Sequence, residues 1–192
     1  MQTQHVIAIF EQVIIALLDK AEKRNPENIV IGGTVALAAH GLNLDRKPGD
    51  LDLVIYSPSE EQYKYLELLS VFALGKQSRD MCIRGLRSIK FKRAGEILNI
   101  LIEKDTFPES NLLYTKCYKK EGGFMYLQMQ SISKVIEAKN SYRINPHSVG
   151  LTGNRYARVK DYYDCQQLKN LNFNVPFDAE AIAPVEEDGY NE

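Results

Sequence analysis

The 192-residue chain contains no tryptophan and only three cysteines, Cys82, Cys117 and Cys165. The cysteines are far apart, odd in number and form no C-x-x-C pair, which argues against a disulfide framework and against a structural zinc site. They read as free thiols in a reducing compartment. Long hydrophobic runs are lacking as well. The most apolar stretch, Val13 to Leu18, is much too short to span a bilayer. The start carries neither the charged region nor the small-residue cleavage site of a signal peptide, so a cytoplasmic location is the expectation. Neither charge sign dominates: 24 Lys and Arg face 25 Asp and Glu, a formal net charge of -1. That removes the bulk electrostatic case for wrapping nucleic acid and leaves room only for a local basic patch. No internal repeat or low-complexity block is present.

What is there is the composition of a soluble globular protein, 44% hydrophobic and 26% charged. The length suits one domain with a real core. We expect a single domain over 1–175, with a core at 28–105, a C-terminal helical part at 130–172 and an acidic tail at 176–192. Val6, Ile9, Phe10, Val13, Ile14, Leu17 and Ala21 recur at helical spacing, predicting an amphipathic helix over 4–24 that ends at Asn25-Pro26. Asn28 to Ile31 is a β-branched strand. A short helix follows from Thr34 to His40, with Gly41 as its stop. Leu51 to Tyr56 reads as the next strand. A helix capped by Ser57 or Ser59 then runs to about Phe72. Ser88 to Arg93, the turn Ala94-Gly95 and Glu96 to Ile102 make a hairpin whose second strand is apolar enough to be central. Residues 106–123 are turn-rich, and Phe124 to Leu127 reads as a strand. Helices are expected over 131–143 and 154–171, joined by a loop. The order predicts an α+β (α/β) fold, a small mixed β-sheet flanked by helices, with C-terminal helices.

The chemistry is concentrated in Ile29-Val30-Ile31-Gly32-Gly33-Thr34, then Arg46, then Gly49-Asp50-Leu51-Asp52-Leu53-Val54. A strand ends in two glycines and a helix begins at once. Glycine admits a phosphate close to the backbone, and Thr34 adds a hydroxyl at the same place. Asp50 and Asp52 are spaced i and i+2 on a strand, so both carboxylates lie on one face while Leu51 and Leu53 face the other. Two adjacent carboxylates repel and call for a counter-charge. A divalent cation such as Mg²⁺ supplies it, completing its shell with phosphate oxygens. No Gly-Lys-[Ser/Thr] follows the glycines, which rules out a P-loop, and G-x-G-x-x-G is absent.

This string resembles the signature of polymerase beta-like nucleotidyltransferases: a strand, a small-residue pair, a helix, then alternating hydrophobic residues and aspartates. Within that superfamily it is similar to the AbiEii-type (abortive-infection) branch, on Gly32, Gly33, Arg46, Asp50 and Asp52. Thr34 stands where that branch usually has Ser, and Pro48 where Thr is common. Downstream, Lys139 in Val135-Ile136-Glu137-Ala138-Lys139 and the run Arg158-Val159-Lys160-Asp161-Tyr162-Tyr163-Asp164 match the same pattern. The resemblance covers residues 28 to about 170. It implies a metal-dependent transfer of NMP from an NTP to a hydroxyl of RNA, protein or a small molecule, with Mg²⁺ (or Mn²⁺) on Asp50 and Asp52. It implies nucleotide binding by Gly32, Gly33, Thr34, Arg46, Lys139 and Asp161. It also implies a toxin or phage-defence setting with an antitoxin partner.

One position departs from the superfamily pattern. The third carboxylate falls on Asn99, an amide that can ligate a cation but is no base. Glu103 lies two pleats on, on the same face, and is the substitute to check. A catalytically impaired nucleotide-binding or partner-binding module is therefore the alternative reading. His40 reads as a helix-end residue, and His5 and His147 are isolated. Tyr156, Tyr162 and Tyr163 read as helix-packing residues before base-stacking ones. Lys76, Arg79, Arg84, Arg87, Lys90, Lys92 and Arg93 form a basic run: a solvated hairpin, or a guide for RNA or triphosphate.

Overall fold

The computed structural model describes residues 2–21, 28–42, 44–46, 48–72, 88–103, 112–120, 123–141, 143–144, 155–156 and 159–173. Asn25-Pro26, Lys76, Arg79, Cys82, Arg84, Arg87, His147, the loop at 145–153, Arg158 and the acidic tail lie outside them. The chain divides into two compact units, Met1–Ile132 and Ser133–Glu192. The division falls at the start of the C-terminal helical part.

The first unit is α+β, a mixed sheet with helices, as the element order predicts. Its helices are α1 (Gln2–Ile9), α2 (Glu11–Asp19), α3 (Gly33–Ala39) and α4 (Glu60–Ser70). Its strands are β1 (Ile29–Ile31), β2 (Asp50–Tyr56), β3 (Ser88–Arg93), β4 (Glu96–Glu103), β5 (Leu112–Lys120) and β6 (Gly123–Gln130). They form one six-stranded sheet in the order β3-β4-β2-β1-β6-β5. The β2–β4 and β1–β6 pairs are parallel, and the others antiparallel.

Register sorts the side chains into two faces. Ile29, Ile31, Leu53, Ile55, Leu98, Ile100, Ile89 and Met129 share one face and are almost fully buried. Phe91 is on that face too, and the Phe10 ring meets it edge-on at 6.1 Å. This contact explains the first departure from expectation. The helix predicted over 4–24 is broken at Phe10, whose φ of -105 and ψ of 9 leave the helical basin. No glycine or proline marks the break; the ring turns into the core, where it is 0% exposed.

Local signals explain the other boundaries. Helix α3 ends in a Schellman motif, with Gly41 N–H bonded to Ala38 O and Leu42 N–H to Leu37 O, and Gly41 at φ +87. Ser59, not Ser57, caps α4 in a capping box with Gln62. Ala94 and Gly95 both have positive φ, 52 and 83, the type I′ signature of a two-residue hairpin. The hairpin's second strand, β4, is internal to the sheet as expected. Strand β5 is the second departure: nine residues within the stretch read as turn-rich form an edge strand because β6 offers a ladder. Strand β6 likewise extends beyond Phe124–Leu127, to Gly123–Gln130.

The second unit contains all but the first residue of α5 (Ile132–Ser141), and α6 (Val159–Asn170). It also holds the two-residue strands β7 (Arg143–Ile144) and β8 (Arg155–Tyr156), paired antiparallel. The helix expected from 154 thus begins later. Among the described residues, no helix is long and apolar enough to cross a membrane.

Candidate functional site

The sheet face opposite the main apolar one carries a smaller apolar cluster of Val30, Val54, Tyr56 and Leu101 and, beside it, the polar residues of the candidate site. Asp50 and Asp52 stand on it side by side, half-buried, while Leu51 and Leu53 on the other face are fully buried. The same register places Asn99 directly beside Asp52, across the parallel β2–β4 pair. Asn99 Nδ2 donates to Asp52 Oδ1 at 2.8 Å.

On the other side of Asp52 lies the diglycine. Gly32 N–H donates to the Asp52 carbonyl at 2.9 Å, extending the β1–β2 ladder by one residue. That amide is therefore committed to the sheet and not to a phosphate. Gly33 follows at φ +62, where only glycine is unstrained. Its Cα faces the Asp52 carboxylate so closely that a Cβ there would collide with Oδ2. A Cβ on Gly32 would come within 2.5 Å of Gln130 Oε1. Gly33 is thus held to glycine by its left-handed backbone beside the Asp52 carboxylate, whereas a Cβ on Gly32 would displace only the end of the flexible Gln130 side chain. Gly49 is different, since a Cβ there meets nothing within 4 Å.

Thr34 opens the first turn of α3 and is 9% exposed. Its Oγ1 accepts from Arg46 Nη2 at 3.0 Å, which brings a guanidinium to the diglycine. Helix α3 has seven residues, so its dipole is small, and Arg46 is the stronger source of positive charge there. His40 caps α3 at its far end and sits 2.8 Å from Gln130 O. It ties the helix to β6, the helix-end role expected of it.

The donor set suits a hard divalent cation. Asp50 and Asp52 provide carboxylates on one face, and Asn99 Oδ1 is a buried acceptor without a hydrogen-bond partner among the described residues, on a residue 8% exposed. An orphaned buried oxygen is costly unless a cation or hydroxyl meets it. Mg²⁺ with one or two carboxylates and substrate phosphates fits that description. Among the described residues, no cluster of three or more His, Cys, Asp or Glu completes an all-protein cage. Glu103 does not substitute for the missing carboxylate. It pairs with Tyr56, four residues along β4 from Asn99, about 13 Å away at strand rise, and is exposed.

Lys139 and Asp161 belong to the second unit, where they meet each other. Lys139 Nζ lies 2.6 Å from Asp164 Oδ2 and 3.5 Å from Asp161 Oδ1. All three residues are at least nine-tenths buried. The ammonium that the resemblance assigns to phosphate is here held between two carboxylates. The spacing of Lys160, Asp161, Asp164 and Leu168 puts all four on one side of α6; Asp161, Asp164 and Leu168 are buried there, and Lys160 is only partly so. Tyr162 and Tyr163 stack edge-on at 5.3 Å. Cys165 is a buried free thiol, as expected.

Three features of the first unit are not given by local spacing in the chain, although the resemblance already put Asn99 at the third-carboxylate position. Gln130 abuts Gly32, Asn99 bonds Asp52, and Lys90 and Lys92 share the face of the acidic pair. The first two depend on strands paired across nearly fifty residues or more. The third was present as alternation in Lys90-Phe91-Lys92, but the face it belonged to was not. Compared with known proteins, the chain matches no family model, no curated protein and no solved structure.

Proposed function

We propose that the chain is a metal-dependent nucleotidyltransferase that moves an NMP from an NTP to an acceptor hydroxyl. One observation carries the reading: the Asp52 carboxylate packs on Gly33 while a buried, unpartnered Asn99 oxygen stands beside it. Acidic pair, glycine backbone and buried acceptor thus occupy one spot on the sheet.

In this reading Asp50 and Asp52 hold the cation, and Asn99 keeps Asp52 oriented through its amide. Arg46 and Thr34 face the triphosphate tail beside Gly33. The acceptor oxygen forms its bond to the α-phosphorus, the bond to the bridging oxygen breaks, and pyrophosphate departs with that electron pair. A divalent cation, when bound, supplies positive charge to the phosphate oxygens. Asn99 offers no basic group, so the hydroxyl proton passes to solvent. Lys139 and Asp161 are left out of this mechanism because their charges answer one another. An antitoxin partner and a defence role rest on the resemblance alone.

A second reading is favoured by Asn99 itself. With an amide at that position and Glu103 distant, the fold binds nucleotide without transferring it. A radiolabelled assay separates the two. Each α-labelled NTP is incubated with Mg²⁺ or Mn²⁺, RNA and protein acceptors, with Asp50→Asn and Asp52→Asn as controls. Label moving to an acceptor with the wild-type chain, and lost in both variants, supports transfer. If calorimetry shows nucleotide binding but no label moves under any condition, transfer is refuted and the binding module stands. If nothing binds, both readings fall.

A further inference from the structure

Strand β3 is one edge of the sheet, and its alternation is sharp. Ile89 is buried on the apolar face with Phe91, whereas Lys90 and Lys92 are exposed on the other. Register identifies what they stand beside. Lys90 pairs with Asn99, which pairs with Asp52; Lys92 pairs with Ile97, which pairs with Asp50. Two rows therefore cross the sheet, each running from a lysine at the edge to an aspartate two strands in. Two strand spacings are about 10 Å, and a four-carbon stem closes most of that gap. Neither lysine has an ion-pair partner among the described residues.

The diglycine, Thr34 and Arg46 lie on the opposite side of Asp52, next to β1. The two sides of the acidic pair are thus distinct. One offers the Thr34 hydroxyl and the Arg46 guanidinium to a compact polyphosphate; the other offers two ammonium groups in file. Lysines at i and i+2 on a strand are about 6.6 Å apart, close to the separation of successive phosphates along one nucleic-acid strand. A protein acceptor has no regular row of anions to meet them. The net charge of -1 gives no long-range attraction, so a local pair must carry the contact.

We infer that Lys90 and Lys92 form the acceptor-side subsite and that the acceptor is a single-stranded phosphodiester strand entering over β3. This rests on the nucleotidyltransferase reading, whose acceptor it narrows. Lysine on an edge strand also blocks sheet-to-sheet pairing; that role alone predicts aggregation of a variant and no change in strand binding.

Fluorescence anisotropy of the full chain with labelled U20 and dT20 across a KCl series tests the inference. Lys90→Gln/Lys92→Gln is expected to weaken U20 binding at least tenfold and to make the log–log salt slope shallower by about 1.4 units, roughly 0.7 for each charge removed. Lys64→Gln, at an exposed lysine on α4, is expected to bind as wild type. Calorimetric binding of the four NTPs with Mg²⁺ is expected to stay within twofold in the lysine variant. Preference for U20 over dT20 identifies the strand as RNA, and equal binding leaves the phosphodiester chemistry standing. Unchanged U20 affinity in a folded lysine variant overturns the inference, as does an equal loss in Lys64→Gln or no U20 binding at 50 mM KCl. Lysine-dependent U20 binding with no NTP binding refutes the transferase reading while leaving the strand subsite in place.

Discussion

Asn99 and Asp52 are joined side chain to side chain across β4 and β2, Nδ2 to Oδ1 at 2.8 Å. The amide leaves its own oxygen buried and, among the described residues, unmet. An aspartate at 99 would replace a donor by a second carboxylate. Asn99→Asp is therefore expected to lose about 2 kcal/mol in EDTA, from the missing charged hydrogen bond and the added repulsion. Mg²⁺ should restore much of it, because the cation gains a ligand. Thermal melts with EDTA and with Mg²⁺ check this: the difference between them should be larger in the variant than in the wild type. An unchanged difference means that the acidic pair is no cation site.

Gly33→Ala combines a left-handed backbone with a methyl group driven into the Asp52 carboxylate. The backbone alone costs about 1–3 kcal/mol. Adding Asp52→Ala should recover the steric part and leave the backbone part, so a double-mutant cycle in urea is expected to show coupling. Gly49→Ala, where nothing lies within 4 Å, is the control and should be close to neutral. Additive costs in the cycle would contradict the packing of Gly33 on Asp52.

Lys139 is the shared counter-ion of two buried carboxylates. Lys139→Met should destabilise by about 3–5 kcal/mol, since Asp161 and Asp164 are left without their cation. The triple variant Lys139→Met/Asp161→Asn/Asp164→Asn should be more stable than the single one, because the uncompensated charge is gone. Urea unfolding distinguishes this from a phosphate-binding role, in which Lys139→Met would leave stability near wild type.

Gln62 is 0% exposed and, together with Asn28, ties α2, the start of α4 and the end of β2 to the chain just before β1. Its Nε2 donates to Leu17 O at 2.9 Å and to Asn28 Oδ1 at 3.2 Å; its Oε1 accepts from Asn28 Nδ2 at 2.8 Å and from Ser59 N at 2.9 Å. Asn28 in turn donates to Tyr56 O at 3.1 Å. Gln62→Ala leaves several buried groups unpaired and is expected to cost about 3 kcal/mol, against under 1 kcal/mol for the exposed Lys64→Ala. Equal midpoints in urea for the two variants would remove this network from the account of stability.

Much of the site was legible because its grammar is local. The i, i+2 spacing of Asp50 and Asp52 fixes a shared face whatever surrounds the strand. Two glycines after a β-branched run mark a sharp turn from strand to helix, and Gly41 marks that helix's end. The reason for Gly33 was not legible: it is sterically bound to Asp52, a neighbour only through the β1–β2 pairing. The ion partners of Lys139, to which the resemblance gives a phosphate role, were not legible either: they lie 22 and 25 residues away on α6.

What the chain's own order determined was the kind of each element, where most of them stop, and which residues alternate. Backbone sterics and short-range hydrogen bonds set those, and both act within a few residues. The tertiary structure alone decided who faces whom. It made residues 112–120 a strand by giving them β6, broke the first helix to bury Phe10, and set Asn99 against Asp52 with Glu103 out of reach. Strand pairing joins residues far apart in the chain, and the choice of partner depends on how the whole apolar face is covered.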